Sequence, residues 1–376
     1  MSKQPDVLIA GGGVIGLSTA YFLAREGARV MLVDQGDLGQ EASWAGAGIL
    51  PPGDVEAAAD QVGKLRAHGA AMHRSLAEEL RQRTGIDNGY ERCGGVELPA
   101  TPDAAPDAEW LGAEVSCERL EAAGLRRVEP ALTTAAGCGW FLPGMAQVRN
   151  PRHLKALIAA CRSLGVDLRP HCAVHELLLR GEQVEGLRTS AGDLGAAQVL
   201  LATGAWTDRL LEQTGWRPGI RPIRGQIALL NTGELLLRRI VLQGPRYVVP
   251  RSDGRVLVGS TEEDVGFDRR TTAEAIASLL RLGASLVPAL AGASVERCWA
   301  GLRPGSPDGL PFLGRVPGWS NLFVAAGHFR SGILLSPITA QLMKELLLGQ
   351  PLTLPLEAFR PERAATIVPA NGEHQS

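Results

Sequence analysis

The chain has 376 residues, is 45% hydrophobic and carries a formal net charge of −2, which gives enough length and apolar content for two packed domains. No basic surplus and no block of like charge is present, so nucleic acid is not an expected partner, and disorder beyond the ends is not expected either. The six cysteines form no C-x-x-C pair and the opening Met-Ser-Lys-Gln-Pro-Asp has no signal-peptide pattern, so we expect reduced thiols in a cytoplasmic protein.

The first element is a buried strand, Val7 to Ala10, running into Gly11-Gly12-Gly13-Val14-Ile15-Gly16. Glycines there let backbone N–H groups approach a pyrophosphate, and the helix expected from Val14 points its N-terminus at that anion. Gly27 stops the helix, a second strand follows at Val30 to Val33, and Asp34 closes it. A carboxylate at that position accepts from ribose hydroxyls and repels a ribose phosphate, which favours NAD or FAD over NADP. The uncharged stretch Val7 to Ala24 has the length of a membrane span but contains the glycine turn, so it reads as strand plus helix and no transmembrane segment is expected.

The small residues from Gly39 to Pro52 suit close approach to a large flat ligand, and Trp44 and Ile49 give this loop something to pack with. A helix is expected over Asp54 to Arg83, stopped by Thr84-Gly85. From Tyr90 to Arg149 the texture is that of an insertion: strands at Gly95 to Leu98 and Gly139 to Leu142, a Pro- and Ala-rich segment at Pro99 to Pro106, and a short helix near Cys117 to Ala123. Pro151 opens a helix over Arg152 to Leu164, followed by strands at Val166 to Arg169, Ala173 to Leu179, Gln183 to Thr189 and Gln198 to Ala202. His171 and His175 fall in this strand-like region, too far apart to share a metal, and no metal is expected. Further strands are expected at Arg221 to Leu230, Tyr247 to Pro250, Val256 to Ser260 and Asn321 to Ala326, with helices over Thr272 to Leu282 and Leu335 to Leu348. The last helix is apolar enough to bury a face against its own domain or against a neighbouring subunit of a homo-oligomer.

Taken together, these motifs resemble the D-amino-acid oxidase group of FAD enzymes, and within it the glycine oxidases of thiamine biosynthesis. The resemblance rests on Gly11 to Gly16 with Asp34, the Ala42-Ser43 to Ala47-Gly48-Ile49 loop, Thr203-Gly204-Ala205-Trp206, Tyr247-Val248-Val249-Pro250-Arg251, Trp299 to Gly305 and Ala326 to Ile333. It implies an α/β (α+β) fold: a Rossmann-like FAD-binding domain from residues 1–89, 150–217 and 311–376, with an inserted antiparallel-sheet substrate domain from 90–149 and 218–310. It also implies FAD contacts from Gly11, Gly13, Val14, Ile15, Gly16, Asp34 and Gln35, then from Ala42, Ser43, Ala47, Gly48, Ile49 and Gly204. The segment His328, Phe329, Arg330, Ser331, Gly332, Ile333 and Leu334 would line the flavin ring. The backbone of Val174 would meet the adenine, although an ordinary core strand residue is the other reading. With no cysteine between Gly301 and Gly327, FAD is expected to be noncovalent.

Arg303 lies between Leu302 and Pro304, an odd setting for a permanent charge unless an anion meets it. The resemblance makes it the arginine that holds the substrate carboxylate; a salt bridge to an acid such as Asp308 is the alternative. Tyr247 would add a hydrogen bond to the same carboxylate, or else be a sheet-face tyrosine. Arg330 would position substrate or stabilise negative charge on reduced flavin. The implied reaction is oxidation of glycine, or of sarcosine or D-alanine, to an imine that hydrolyses to a 2-oxo acid and ammonia, with oxygen as acceptor and hydrogen peroxide as product. A dehydrogenase using another acceptor and a noncatalytic flavoprotein are the competing readings. Pro245 and Glu262 stand where some glycine oxidases carry histidine and methionine; Glu262 either faces the pocket or is a solvated loop acid.

Overall fold

The computed structural model describes residues 4–99, 116–133 and 135–366. Its first sheet is built around Val7–Ala10, whose four side chains are all buried and whose parallel neighbours are Val30–Val33 and Gln198–Leu201. Asp167–Arg169 extends it on one side; Leu322–Ala326 and the antiparallel Phe312–Arg315 extend it on the other, giving six strands. Continuous Val, Leu and Ile runs are what a sheet covered on both faces requires. One face packs on the helices Val14–Arg25, Gln61–Thr84, Asn150–Ser163 and Gly332–Leu347, and the other on a layer that includes the three-stranded sheet of Val174–Arg180, Gln183–Thr189 and Gly192–Gly195.

Several boundaries differ from the sequence reading, each for a local reason. The long helix starts at Gln61, not Asp54, because the Asp60 carboxylate caps it by accepting from the Gly63 N–H at 2.6 Å. Asp54 accepts instead from the N–H groups of Glu56 and Ala57, a local turn that competes with helix. Near Cys117 the chain forms a strand, Glu118–Glu121, before the helix Ala122–Val128, because it pairs antiparallel with Cys138–Leu142. His171 sits in a left-handed turn with φ 54° and pairs with Asp37; only His175 is in a strand. Of Pro99 to Pro106, all but Pro99 lie outside the described residues.

The second sheet has eight strands, ordered Ser294–Gly305, Arg221–Asn231, Arg255–Gly259, Arg246–Pro250, Ile240–Gln243, Gly95–Glu97, Cys138–Leu142 and Glu118–Glu121. All neighbours are antiparallel except Ile240–Gln243 with Gly95–Glu97. Ser294–Gly305 was not expected as a strand, since its first four residues are exposed; pairing with Arg221–Asn231 along its length fixes it. The helix Ala273–Leu286 covers one face of this sheet.

The C-terminal helix begins at Gly332, three residues before the expected Leu335, and packs on Val14–Arg25 and Gln61–Thr84 of its own chain. No helix among the described residues is long and apolar enough to cross a membrane, and all six cysteines are free thiols.

Candidate active site

A cavity of about 450 Å³ runs from the Gly11–Gly13 turn to the start of the C-terminal helix. Gly11 has φ 108°, and a Cβ there would stand 2.3 Å from the Ala202 carbonyl oxygen, so only glycine lets the turn sit against the end of the neighbouring strand. Gly13, Val14 and Ile15 line the cavity where the first helix starts. Gly16 does not line it: a Cβ would lie 1.9 Å from the Gly11 carbonyl oxygen, so its glycine serves close packing of helix on turn. The Ser43 hydroxyl accepts from the Val14 N–H at 2.9 Å and ties the 42–45 turn to the helix N-terminus.

Asp34 and Gln35 form the far wall at the end of the second strand. One Asp34 oxygen accepts from the Gly12 N–H at 2.6 Å and the other from the Gly36 N–H at 2.9 Å. The carboxylate therefore shapes the turn besides facing the cavity, and each oxygen keeps further acceptor capacity. Burial raises its pKa, opposed by those two N–H bonds. Ala42, Ser43, Val174 and Gly204 line the same cavity, as do His328, Phe329, Arg330, Gly332 and Ile333 at the other end. The His328 ring, 3% exposed, is hydrogen-bonded through Nε2 to the Thr339 hydroxyl at 3.0 Å, and burial pushes its pKa down to about 3. It is a neutral wall residue.

A smaller cavity of about 90 Å³ adjoins the first, sharing Ala42, Gly46, Arg303, Arg330 and Ile333 with it. Ala47, Gly48, Ile49, Ser331 and Leu334 belong to this second space, together with Tyr247. Its lining includes Arg66, Arg303 and Arg330 and no Asp or Glu among the described residues. The floor is sheet. Gly225 lies opposite Gly301, and two residues further along the same strand Arg303 folds back over Gly225, where a Cβ would be 2.1 Å from its Nη2. Tyr247 pairs across strands with Gly259, whose absent Cβ leaves room for the phenol ring.

Arg303 donates from Nη2 to the Ser260 hydroxyl at 2.7 Å and from Nη1 to the Thr261 carbonyl at 3.1 Å. It is not paired with Asp308, which instead binds Arg363 at 2.8 Å. Arg330 donates to the Pro245 carbonyl at 2.7 Å and lies 3.8 Å from Glu262. Glu262 is a half-exposed loop acid that reaches the site only through Arg330, and neither cavity includes it. Sequence reasoning did not single out Gly225, Ser260, Thr261 or Arg66. Glycines inside otherwise apolar strands were the available signal for the first, since such glycines mark close approach.

The glycine turn free of side chains, the half-buried acid beyond it and the adjoining cationic pocket fit a dinucleotide lying against a small anionic substrate. Fold and site thus define a dinucleotide-dependent oxidoreductase. A family model described as FAD dependent oxidoreductase (DAO) matches residues 6–346, and the chain belongs to that family, with FAD as its cofactor. It is 38% identical over 364 residues to the glycine oxidase of Pseudomonas putida, covering 96% of this chain and 99% of that one. The glycine oxidase structure from Geobacillus kaustophilus superposes with a TM-score of 0.88 at 34% identity, covering 95% of this chain and 98% of that one. The iminodiacetate oxidase structure from Chelativorans gives 0.82 at 31% identity, covering 94% and 98%. These likenesses bear out the α/β fold class, a Rossmann-like FAD fold with a substrate-side sheet.

Proposed function

We propose that this chain catalyses FAD-dependent oxidative deamination of glycine, and of small amines of the same kind such as sarcosine and D-alanine, with oxygen as acceptor. The observation that carries the substrate class is Arg303, anchored by Ser260 and Thr261 in a small pocket whose lining has cations and no acids. A guanidinium so held offers a carboxylate two parallel hydrogen bonds without first having to be ordered. The buried Tyr247 adds its hydroxyl on the same wall. The sizes of the two spaces suit a small substrate beside a large cofactor.

FAD, when bound, supplies the two-electron acceptor that takes the hydride from the substrate α-carbon and is reoxidised by oxygen. The protein's task is to hold the substrate and fix its protonation state. Guanidinium groups around the pocket disfavour an ammonium, so the amine binds neutral, having released its proton to solvent. Its lone pair then forms the imine as hydride leaves, and no protein base is required. The lining of the small pocket offers no Asp, Glu or His among the described residues, and His328 is held neutral at the wall of the larger one. Water hydrolyses the imine to glyoxylate and ammonia, and oxygen takes up the electron pair and two protons to give hydrogen peroxide.

Under this reading, FAD is noncovalent and held by residues 1–89, 150–217 and 311–376, and substrate is held mainly by 90–149 and 218–310. The test is the visible spectrum of the purified protein mixed with glycine without air and then aerated. Bleaching of the flavin band followed by its return, with glyoxylate and peroxide released, is expected. A band unmoved by glycine, sarcosine and D-alanine overturns the activity, and bleaching without return overturns the role of oxygen.

A further inference from the structure

Pro337 lies inside the C-terminal helix, and a proline has no N–H to give to the carbonyl four residues earlier, which is that of Ile333. That carbonyl belongs to the helix's first turn, and Ile333 lines both cavities. Two side chains take over. The Ser336 hydroxyl donates to it at 2.9 Å, and the ring of His73 donates from Nε2 to it at 3.1 Å and to the Leu334 carbonyl at 3.2 Å. Ser336 is part of the same helix and cannot anchor the turn to anything else. His73 can, because it stands on the long helix Gln61–Thr84. Gly69, one turn earlier on that helix, allows the approach: a Cβ there would be 2.6 Å from the Leu334 carbonyl oxygen.

We propose that His73 is a positioning residue for the cofactor: it replaces from outside the hydrogen bond that Pro337 removes, and so fixes the Gly332–Leu334 turn that walls the flavin end of the site. Since a carbonyl can only accept, the His73 proton is on Nε2. His153 backs it, ring centres 6.1 Å apart, and is itself oriented by the Asn88 amide, which donates to its Nδ1 at 3.0 Å. The first-turn N–H groups of the C-terminal helix have no partners within the helix, so their placement sets how well the wall receives negative charge as a flavin is reduced. The inference rests on membership of the FAD family and not on the choice of glycine as substrate.

The experiment compares His73→Gln, which keeps a donor, with His73→Met, which fills similar space without one. Binding of FAD to the apoprotein is followed by flavin fluorescence, and the midpoint potential of the bound flavin is measured in parallel. His73→Met is expected to weaken FAD binding about tenfold and lower the potential, while His73→Gln stays near the parent. Adding Pro337→Ala to His73→Met returns a backbone N–H to Ile333 and is expected to recover both. Met and Gln variants that behave alike, a potential that does not move, or no recovery with Pro337→Ala would each overturn the proposal. A merely structural role would lower the melting temperature of the Met variant and leave the potential where it was. Should the Met variant not fold, the Pro337→Ala pair decides: a double variant that also fails to fold or to bind FAD counts against the proposal. Both readouts are independent of whether glycine is oxidised.

Discussion

The guanidinium of Arg303 lies flat over Gly225, so closely that a methyl group at position 225 would come within 2.1 Å of Nη2. The two residues sit on paired strands, and the guanidinium is held there by Ser260 and Thr261. A glycine that would weaken an ordinary strand is here the seat of the side chain proposed to hold the substrate carboxylate. Gly225→Ala is therefore expected to lift Arg303 out of register and raise KM for glycine by about tenfold or more, roughly 1.4 kcal/mol. FAD binding and melting temperature should change little, and steady-state kinetics with a FAD titration would check the separation.

Removing the charge itself is expected to cost more. Arg303→Ala loses a charge-assisted pair of hydrogen bonds, on the order of 2–3 kcal/mol or about a hundredfold in kcat/KM, chiefly through KM. Lysine should recover only part of this, because an ammonium lacks the fork. An unchanged KM in Arg303→Ala would sink the assignment.

Acid should weaken the fold through its buried histidines. Burial pushes the pKa of His73 down to about 4 and those of His153 and His328 to about 3. In the unfolded chain these rings protonate near their ordinary value of about 6.5. Between those limits the unfolded state binds more protons, so stability is complete above about pH 6.5 and falls as pH drops through the window. Melting temperatures at about pH 8, 6.5 and 5 should show a plateau and then a fall, and His328→Gln should show a shallower one. The same neutral His328 implies that kcat/KM against pH follows the substrate amine, so His328→Gln should leave the position of that limb unmoved.

Retention of the cofactor should depend on the loop between the Arg255–Gly259 strand and the Ala273–Leu286 helix. Its Phe267 ring lies 5.4 Å from that of Trp206, tilted by 42°, with the Arg209 guanidinium 3.9 Å over the ring, and its Arg269 pairs with Glu41 at 2.7 Å. Trp206, Arg209 and Glu41 all line the larger cavity, so this loop, which leaves the second sheet, is tied to the cavity's wall. Phe267→Ala is expected to speed FAD release several-fold, about 1 kcal/mol for the lost aromatic and cation–π contacts. Arg269→Ala, which breaks only a surface pair, should do less. Flavin fluorescence after dilution reads both.

The dinucleotide end of the protein is legible from local sequence. There the strand, glycine turn, helix and acid are consecutive from Val7 to Asp34, and local physics leaves few ways to fold them: continuous apolar runs must be buried, and glycines must turn. The first helix and the strands beside it fall where the spacing puts them. The small pocket proposed for substrate was only partly legible. Arg303 could be picked out by its apolar neighbours, but Ser260 and Thr261, which aim it, come from about forty residues away and carry no local pattern. Whether Arg303 or Arg363 takes Asp308, whether Glu262 meets substrate or solvent, and which residue answers for the proton missing at Pro337 all depend on strand register and helix packing. Those are long-range pairings set by burial of whole faces, and the energy that selects them belongs to no single segment. They are fixed only when the whole chain packs.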